Sequence, residues 1–338
     1  MVVVTTARAH SGEMMTRRVQ LARLRQVAET ALSRFPIAAG QLTFVAHEEN
    51  TTYRHDGPDG RYLVRVHRPQ RHGRGVDTMK AVRSEIAWLR AVRKDSGLAV
   101  PVPVAASDGA VTVEASAAGE TRICSVLRWM DGRIHEESAR PVHLHRLGEA
   151  MGRLHDQADA WTPPPDFVRI RWDHETFFGD VMVYGATPAV ECWSLLPEEV
   201  VVRFRSVAAW LADVMAGVDG DGLIHADLHL GNAIFQGGDV KLIDFDDCGT
   251  GPRLYELAVA LWELRDRPDY PAYRDALLDG YRARREIDAT HLDAFIALRQ
   301  VAFDLWYTGT AQINPAFAAR LDQVHRWSLR MLDLVAKP

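Results

Sequence analysis

At 338 residues the chain is long enough for two domains or for one domain built of two lobes. Its 47% hydrophobic and 25% charged residues are those of a folded globular protein, and a formal charge of −5 gives no general attraction to nucleic acid or to an anionic membrane. No basic stripe with interleaved aromatics marks a nucleic-acid surface, and no window reaches the roughly 20 apolar residues of a membrane span. The chain is therefore expected to have neither partner. Cys124, Cys192 and Cys248 are odd in number and far apart. They fit neither a disulfide framework nor a zinc ribbon, and they point to a reducing, cytoplasmic setting.

Residues 1–16 show no periodicity and read as a disordered leader, whose opening apolar run is too short for a signal peptide. Over 19–33, Leu21, Leu24, Val27 and Leu32 recur near helical spacing, and Pro36 ends the pattern. The period changes at Leu42. Residues 42–67 hold two strand-like runs around the turn-rich stretch Asp56–Gly60, the pattern of a β-hairpin. In the second run Tyr62, Val64 and Val66 share the core face, which leaves Arg65 on the other. A helix follows over 77–94 with Met79, Val82, Ile86 and Leu89 as its apolar stripe. Glu85 lies on the flank of that stripe and needs a partner if buried; Arg65 is the obvious one.

Further strand-like runs occupy 110–114 and 121–127. From Ser138 the chain is mainly helical, with helices expected near 143–158, 197–216, 255–265, 269–284, 289–309 and 315–335. His155 is expected to be a hydrogen-bonding residue at the core edge. The Pro- and aromatic-rich stretch 161–178 reads as a loop and a short helix, in which Trp172, Asp173, His174 and Phe178, with the later Trp306, are candidate pocket residues or simple packing. A β-rich first third before a helical remainder makes an α+β protein of two lobes.

The chemistry is concentrated in residues 224–247, IHADLHLGNAIFQGGDVKLIDFDD. Phosphoryl transfer needs a metal to neutralise phosphate charge and a carboxylate near the acceptor hydroxyl. Magnesium takes hard oxygen ligands, usually one or two carboxylates with phosphate oxygens and water. Apolar runs at 233–235 and 240–245 flank the turn Gln236-Gly237-Gly238-Asp239. A tight hairpin there carries Asn232 alongside Asp244, with Asp227 nearby. A rival pattern is a transition-metal site of His225, Asp227 and His229, which share one side if that stretch is extended. Asp246 and Asp247 fit an auxiliary metal or substrate role and a structural hydrogen bond equally well.

His225-Ala-Asp227-Leu-His229-Leu-Gly231-Asn232 followed by Ile243-Asp244-Phe245-Asp246 resembles the aminoglycoside phosphotransferase/choline kinase superfamily, relatives of the protein kinases. The continuation Asp246-Asp247-Cys248-Gly249-Thr-Gly251-Pro252 through Tyr255-Glu256-Leu-Ala258 resembles the branch holding type II homoserine kinases and bacterial stress-response serine/threonine kinases. The resemblance spans roughly residues 40–310, and its specific motifs lie within 225–258. It implies a protein-kinase-like fold with an N-lobe over 17–127, a hinge at 128–132 and a helical C-lobe over 133–338. It also implies ATP and Mg²⁺ as cofactors, Asp227 as catalytic base, and Asn232 and Asp244 as metal ligands. Glu85 resembles the glutamate that pairs with the phosphate-binding lysine. Arg65 stands where that lysine usually sits, although arginine and lysine are not interchangeable. Arg128, Trp129 and Met130 look like the adenine-binding hinge. Asn50 and Thr51 replace the usual glycine-rich phosphate loop.

The expected reaction is transfer of the γ-phosphate to a hydroxyl of a small molecule such as homoserine, an amino alcohol, a sugar or an aminoglycoside. The stretch between Asp247 and Glu256 is short for a peptide-docking segment, which favours a small acceptor over a protein serine or threonine. A stress-response protein kinase and an inactive nucleotide-binding module are the alternatives. An aminoglycoside would want a strongly acidic pocket, and only Asp246–Asp247 and Glu198–Glu199 stand out as acidic clusters.

Overall fold

Residues 5–47, 49–69, 76–184, 187–218 and 220–335 are described in a computed structural model, with side chains from Arg17 onward. Within these residues the chain forms two units. The first comprises Met1–Arg71, Asp77–Ile86 and Pro101–Trp129; the second holds the remainder.

The first unit is built on alternating strands. Helix α1 (Thr5–Leu32) precedes β1 (Gln41–His47), β2 (Thr51–Gly57) and β3 (Gly60–Val66). The helix expected over 19–33 thus begins at Thr5, which takes up most of the stretch read as a leader. Instead of one hairpin there are three strands, because the first run reverses between His47 and Thr51. Helix α2 (Thr78–Asp95), β4 (Val113–Ala117) and β5 (Glu120–Arg128) follow, and the sheet runs β1-β2-β3-β5-β4, antiparallel throughout. Period-two alternation puts Tyr53, Tyr62, Val64, Val66, Cys124 and Val126 on one face, where α1 covers them with Leu24, Val27, Ala28 and Ala31.

The second unit takes the end of α2 from Ala87 and everything from Met130. Its elements are α3 (Pro141–Ala160), β6 (Ile170–Arg171), α4 (His174–Phe178), β7 (Val183–Tyr184), β8 (Thr187–Pro188), α5 (Ala189–Cys192) and α6 (Glu198–Gly217). Then come β9 (Asp221–Ile224), β10 (Ala233–Gln236), β11 (Asp239–Leu242) and β12 (Gly249–Pro252). Five helices finish the chain: α7 (Arg253–Trp262), α8 (Tyr270–Arg282), α9 (Leu292–Ala311), α10 (Pro315–Ala318) and α11 (Leu321–Val335). The single helix expected over 315–335 is therefore two, and α9 packs against both.

The hairpin expected around Gln236–Asp239 is present, with Ala233 opposite Leu242 and Gln236 opposite Asp239. Gly237 takes φ +64, which glycine reaches without penalty. The second strand ends at Leu242, earlier than Phe245, because Asp244 is left-handed at φ 63 and cannot continue a ladder. The β6-β12-β9 sheet carries the loops on either side of this hairpin. Gly249 in β12 is required for that sheet: a Cβ there would lie 2.3 Å from the Ile170 carbonyl oxygen. Among the described residues no helix is long and apolar enough to cross a membrane.

Candidate active site

The loop after β9 is folded by buried polar contacts. Ala226 is left-handed at φ 69, a strained conformation for a residue with a side chain. Glu256, on α7 and fully buried, holds it there: its carboxylate accepts from the amides of His225 (3.0 Å) and Ala226 (2.6 Å). Burial would raise the Glu256 carboxyl. The hydrogen bonds and charge of its surroundings, led by His155, outweigh this and hold it below its ordinary value. His155 in turn has Nδ1 2.9 Å from the Tyr281 hydroxyl and Nε2 3.6 Å from Glu256. It is the hydrogen-bonding histidine its position suggested.

His225 ties this loop to the hairpin. Its Nδ1 accepts from the Asp227 amide at 3.3 Å and its Nε2 lies 2.8 Å from the Ile243 carbonyl, so both ring nitrogens are spent on backbone. The set His225, Asp227 and His229 is therefore not a metal site. His225 is a strut.

Asp227 and Asn232 meet as the spacing implies. The Asn232 amide donates to the Asp227 carbonyl (2.8 Å) and to Asp227 Oδ2 (3.1 Å), which turns its own side-chain oxygen away. The Asn232 carbonyl accepts from the Ile243 amide at 3.0 Å, so the residue next to Asn232 across the hairpin end is followed at once by Asp244. An amide oxygen and a carboxylate at adjoining positions are the hard donors that a magnesium ion takes.

Arg299 on α9 was not singled out by the sequence. Its Nη2 donates to Asp227 Oδ1 at 2.5 Å, and its guanidinium lies over Trp262 with Cζ 5.2 Å from the ring centroid. Burial would raise the Asp227 carboxyl; Arg299 first and His229 second overcome it, and the group is held below its ordinary value. The available signal was a lone cation in the apolar run from Ala294 to Phe303. His229 lies beside the same carboxylate, its Nε2 3.7 Å from Asp227 Oδ2, while its Nδ1 accepts from the Gly231 amide at 3.2 Å. Glu263 and Glu136 converge on His229, the three sets of donor atoms lying within 4.8 Å of one another. Burial, and then the neighbouring Glu136, raise the Glu263 carboxyl above its ordinary value.

The loop after Asp244 is pinned through its backbone. The Arg169 guanidinium donates to the carbonyls of Cys248 (2.5 Å) and Asp246, and Trp172 Nε1 donates to the Asp247 carbonyl at 2.9 Å. Trp172 is thus a clamp. Phe178 is buried, Asp173 caps α4 through the Thr176 amide (2.9 Å), and His174 Nε2 lies 2.8 Å from the Ala208 carbonyl. These four candidate pocket residues are packing or holding residues. The fifth, Trp306 on α9, is partly exposed, with its ring 5.4 Å from that of Phe317.

In the first unit Arg65 and Glu85 are buried and paired, Nη1 to Oε1 at 2.6 Å. Thr51 is 3% exposed and 2.7 Å from His47 Nδ1, and Asn50 accepts from the Arg68 amide at 3.2 Å, so both side chains hold the β1–β2 turn. Arg128 lies over the Tyr62 ring (4.5 Å) and Trp129 donates its amide to the Arg61 carbonyl (3.0 Å), while Met130 belongs to the second unit.

Known proteins place this arrangement. A homoserine kinase from Rhodopseudomonas palustris (strain TIE-1) is 30% identical over 217 residues, 62% of this chain and 61% of that protein. A solved microcompartment-associated aminopropanol kinase superposes with a TM-score of 0.70 at 27% identity, covering 91% of this chain and 97% of its own. An amicoumacin kinase solved in complex with AMP-PNP and Ca²⁺ shares the fold, with a TM-score of 0.73 at 19% identity over 92% of this chain and 95% of its own. The model of the family described as "Phosphotransferase enzyme family" matches residues 41–291. With its α+β kinase-like fold, the chain belongs to that family, the kinases that take an alcohol group as acceptor.

Proposed function

We propose that this protein transfers the γ-phosphate of ATP to a hydroxyl of a small molecule, with Asp227 as the base. The observation that carries the reading is the junction of Asp227, Asn232 and the hairpin end: the amide of Asn232 is fixed on Asp227 while its backbone is bonded to the residue before Asp244. In this reading Asn232 and Asp244 hold Mg²⁺, which neutralises phosphate charge when bound. Arg65, oriented by Glu85, meets phosphate oxygens as a fixed fork of donors. Arg128 and Trp129, whose N–H groups are bonded to Val102 and Arg61, offer carbonyls to adenine, and Met130 offers its main-chain groups. Asn50 and Thr51 contribute through backbone, since their side chains are engaged.

Asp227 is kept ionised, so its task is to orient the acceptor hydroxyl and receive its proton as the bond to phosphorus forms. Phosphoryl transfer passes through a loose transition state and asks for position more than for a strong base. The aminopropanol, amicoumacin and homoserine kinases among its relatives and fold neighbours support a small acceptor. The three cysteines are all free and buried, which suits a cytoplasmic enzyme.

The test is ADP release by wild type and Asp227→Asn over amino alcohols, amino acids, sugars, aminoglycosides and a generic protein substrate. Turnover of a small alcohol that falls at least about 100-fold in Asp227→Asn, with nucleotide binding retained, is the expected result. Turnover of the protein substrate alone, or equal turnover in the variant, would overturn the reading.

A further inference from the structure

The face of α9 that reaches Asp227 does not end there. Arg299, Phe303, Trp306 and Tyr307 recur at helical spacing along one side of the helix. Beyond the Arg299 guanidinium lies Trp262, and from it the rings run in unbroken contact. Trp262 to Phe303 is 4.9 Å between centroids, Phe303 to Trp306 5.7 Å, Phe303 to Trp327 5.7 Å, and Tyr307 to Phe317 4.6 Å. Large aromatics of the interior such as Tyr53, Tyr255 and Phe295 are at most 1% exposed. By contrast Phe303, Trp306, Tyr307, Phe317 and Trp327 are all left partly exposed. Trp262 itself is 4% exposed, so the open part of the row begins at Phe303, one turn of α9 beyond Arg299. A half-covered row of rings that begins one turn from the partner of Asp227 is placed to take a ligand.

Charge at the near end of this surface completes the chemistry. Glu263 follows Trp262 directly in the chain and, with Glu136, faces His229. Both ring nitrogens of His229 are directed to neighbours, Nδ1 to the Gly231 amide and Nε2 toward Asp227. The imidazole therefore has no lone pair left for a metal ion, and the two carboxylates remain as acceptors for an organic cation.

Resting on the phosphotransferase reading above, we infer that this surface is the acceptor subsite, and that the acceptor is an amino alcohol bearing an aromatic or similarly broad apolar body. Glu263 and Glu136 take the protonated amine. The rings of α9, α10 and α11 take the body, and Asp227 meets the hydroxyl. A row of rings this long outruns a four-carbon amino acid, and two carboxylates are too few for a polycationic aminoglycoside.

The experiment compares 2-amino-1-phenylethanol, ethanolamine, homoserine and benzyl alcohol as acceptors with Mg-ATP. The aryl amino alcohol, whose ring packs on this row, should exceed ethanolamine in kcat/KM by about 5-fold or more. Benzyl alcohol, lacking the amine, should fall below the aryl amino alcohol, and Glu263→Gln should narrow that gap. Trp306→Leu, which keeps the helix packed, and Phe317→Ala on the short α10 should each raise KM for the aryl acceptor and bring its ratio to ethanolamine toward one. If ethanolamine or homoserine serves as well as the aryl compound, or if neither ring variant moves that KM, the subsite assignment falls while phosphoryl transfer stands. Should no alcohol be phosphorylated, the phosphotransferase reading falls instead. Calorimetric binding of 2-phenylethylamine, which has no hydroxyl, then decides the subsite alone: binding that is lost in Trp306→Leu upholds it, and no binding overturns it.

Discussion

Burial would raise the Asp227 carboxyl, and the residue that most opposes it comes from a helix distant in sequence, α9. Arg299 at 2.5 Å supplies the largest opposing influence. With the carboxyl held below its ordinary value, Asp227 is charged throughout the neutral range, and in the proposed reaction the acid limb of kcat lies below the usual carboxylate range of about 4. Arg299→Met removes the largest influence that opposes burial and leaves only His229, so that limb should move to higher pH and kcat at neutral pH should fall; Arg299→Lys should recover part of both. A pH–rate profile in Arg299→Met that overlays wild type would show that Arg299 only packs. The closeness of Asp227, Asn232 and the turn at Asp244 was legible because their spacing is local and set by one hairpin. Arg299 was not, since it lies 72 residues from its partner and reads in sequence as one charge on an apolar helix.

At the scale of elements, α7 and the loop after β9 are joined by a single carboxylate. Both Glu256 oxygens accept backbone N–H groups, one of them from the left-handed Ala226. A glutamine at this position would turn its amide donor toward a backbone donor in a fully buried place. Glu256→Gln should therefore cost about 1–3 kcal/mol in urea unfolding and reduce turnover more than nucleotide affinity; an unchanged midpoint would show that the loop holds itself. The hairpin has its own sensitivity to acid. His143 of α3 is buried, stacked on His135 (4.1 Å) and tilted against Phe235 of β10 (4.9 Å). Burial first, then the charge of its neighbours, lowers it to about 4. A folded value below the unfolded 6.5 means that the unfolded chain binds the extra proton. The contribution is therefore whole above pH 6.5 and is lost as pH falls toward 4. Tm should drop over that window and drop less in His143→Phe; equal slopes would remove His143 as the cause. Hydrophobic periodicity found these helices and the hairpin. It merged β1 with β2 because the stretch between His47 and Thr51 holds no glycine or proline to mark the reversal. It also merged α10 with α11, where the break between Ala318 and Leu321 likewise has neither.

For the whole molecule, the division into a β-rich and a helical unit was readable from the change of period at Leu42 and again after Arg128. The allotment of α2 was not. Its apolar stripe continues through the helix, yet the residues up to Ile86 belong with the sheet and those from Ala87 with the helical unit, where Trp88 donates to Gln157 (2.9 Å) and packs on Phe245 (5.4 Å). In the proposed reaction the metal on Asn232 and Asp244 neutralises the phosphates, so the nucleotide should stabilise the fold far more with the metal than without it. By mass action, Mg-ATP at about 100 times its Kd adds about 2.7 kcal/mol. Tm should therefore rise with Mg²⁺ and the unreactive analogue AMP-PNP, rise much less with AMP-PNP in EDTA, and lose its Mg²⁺ dependence in Asp244→Asn. A rise that is the same with and without Mg²⁺ in the wild type would remove Asn232 and Asp244 as metal ligands while leaving the nucleotide in place.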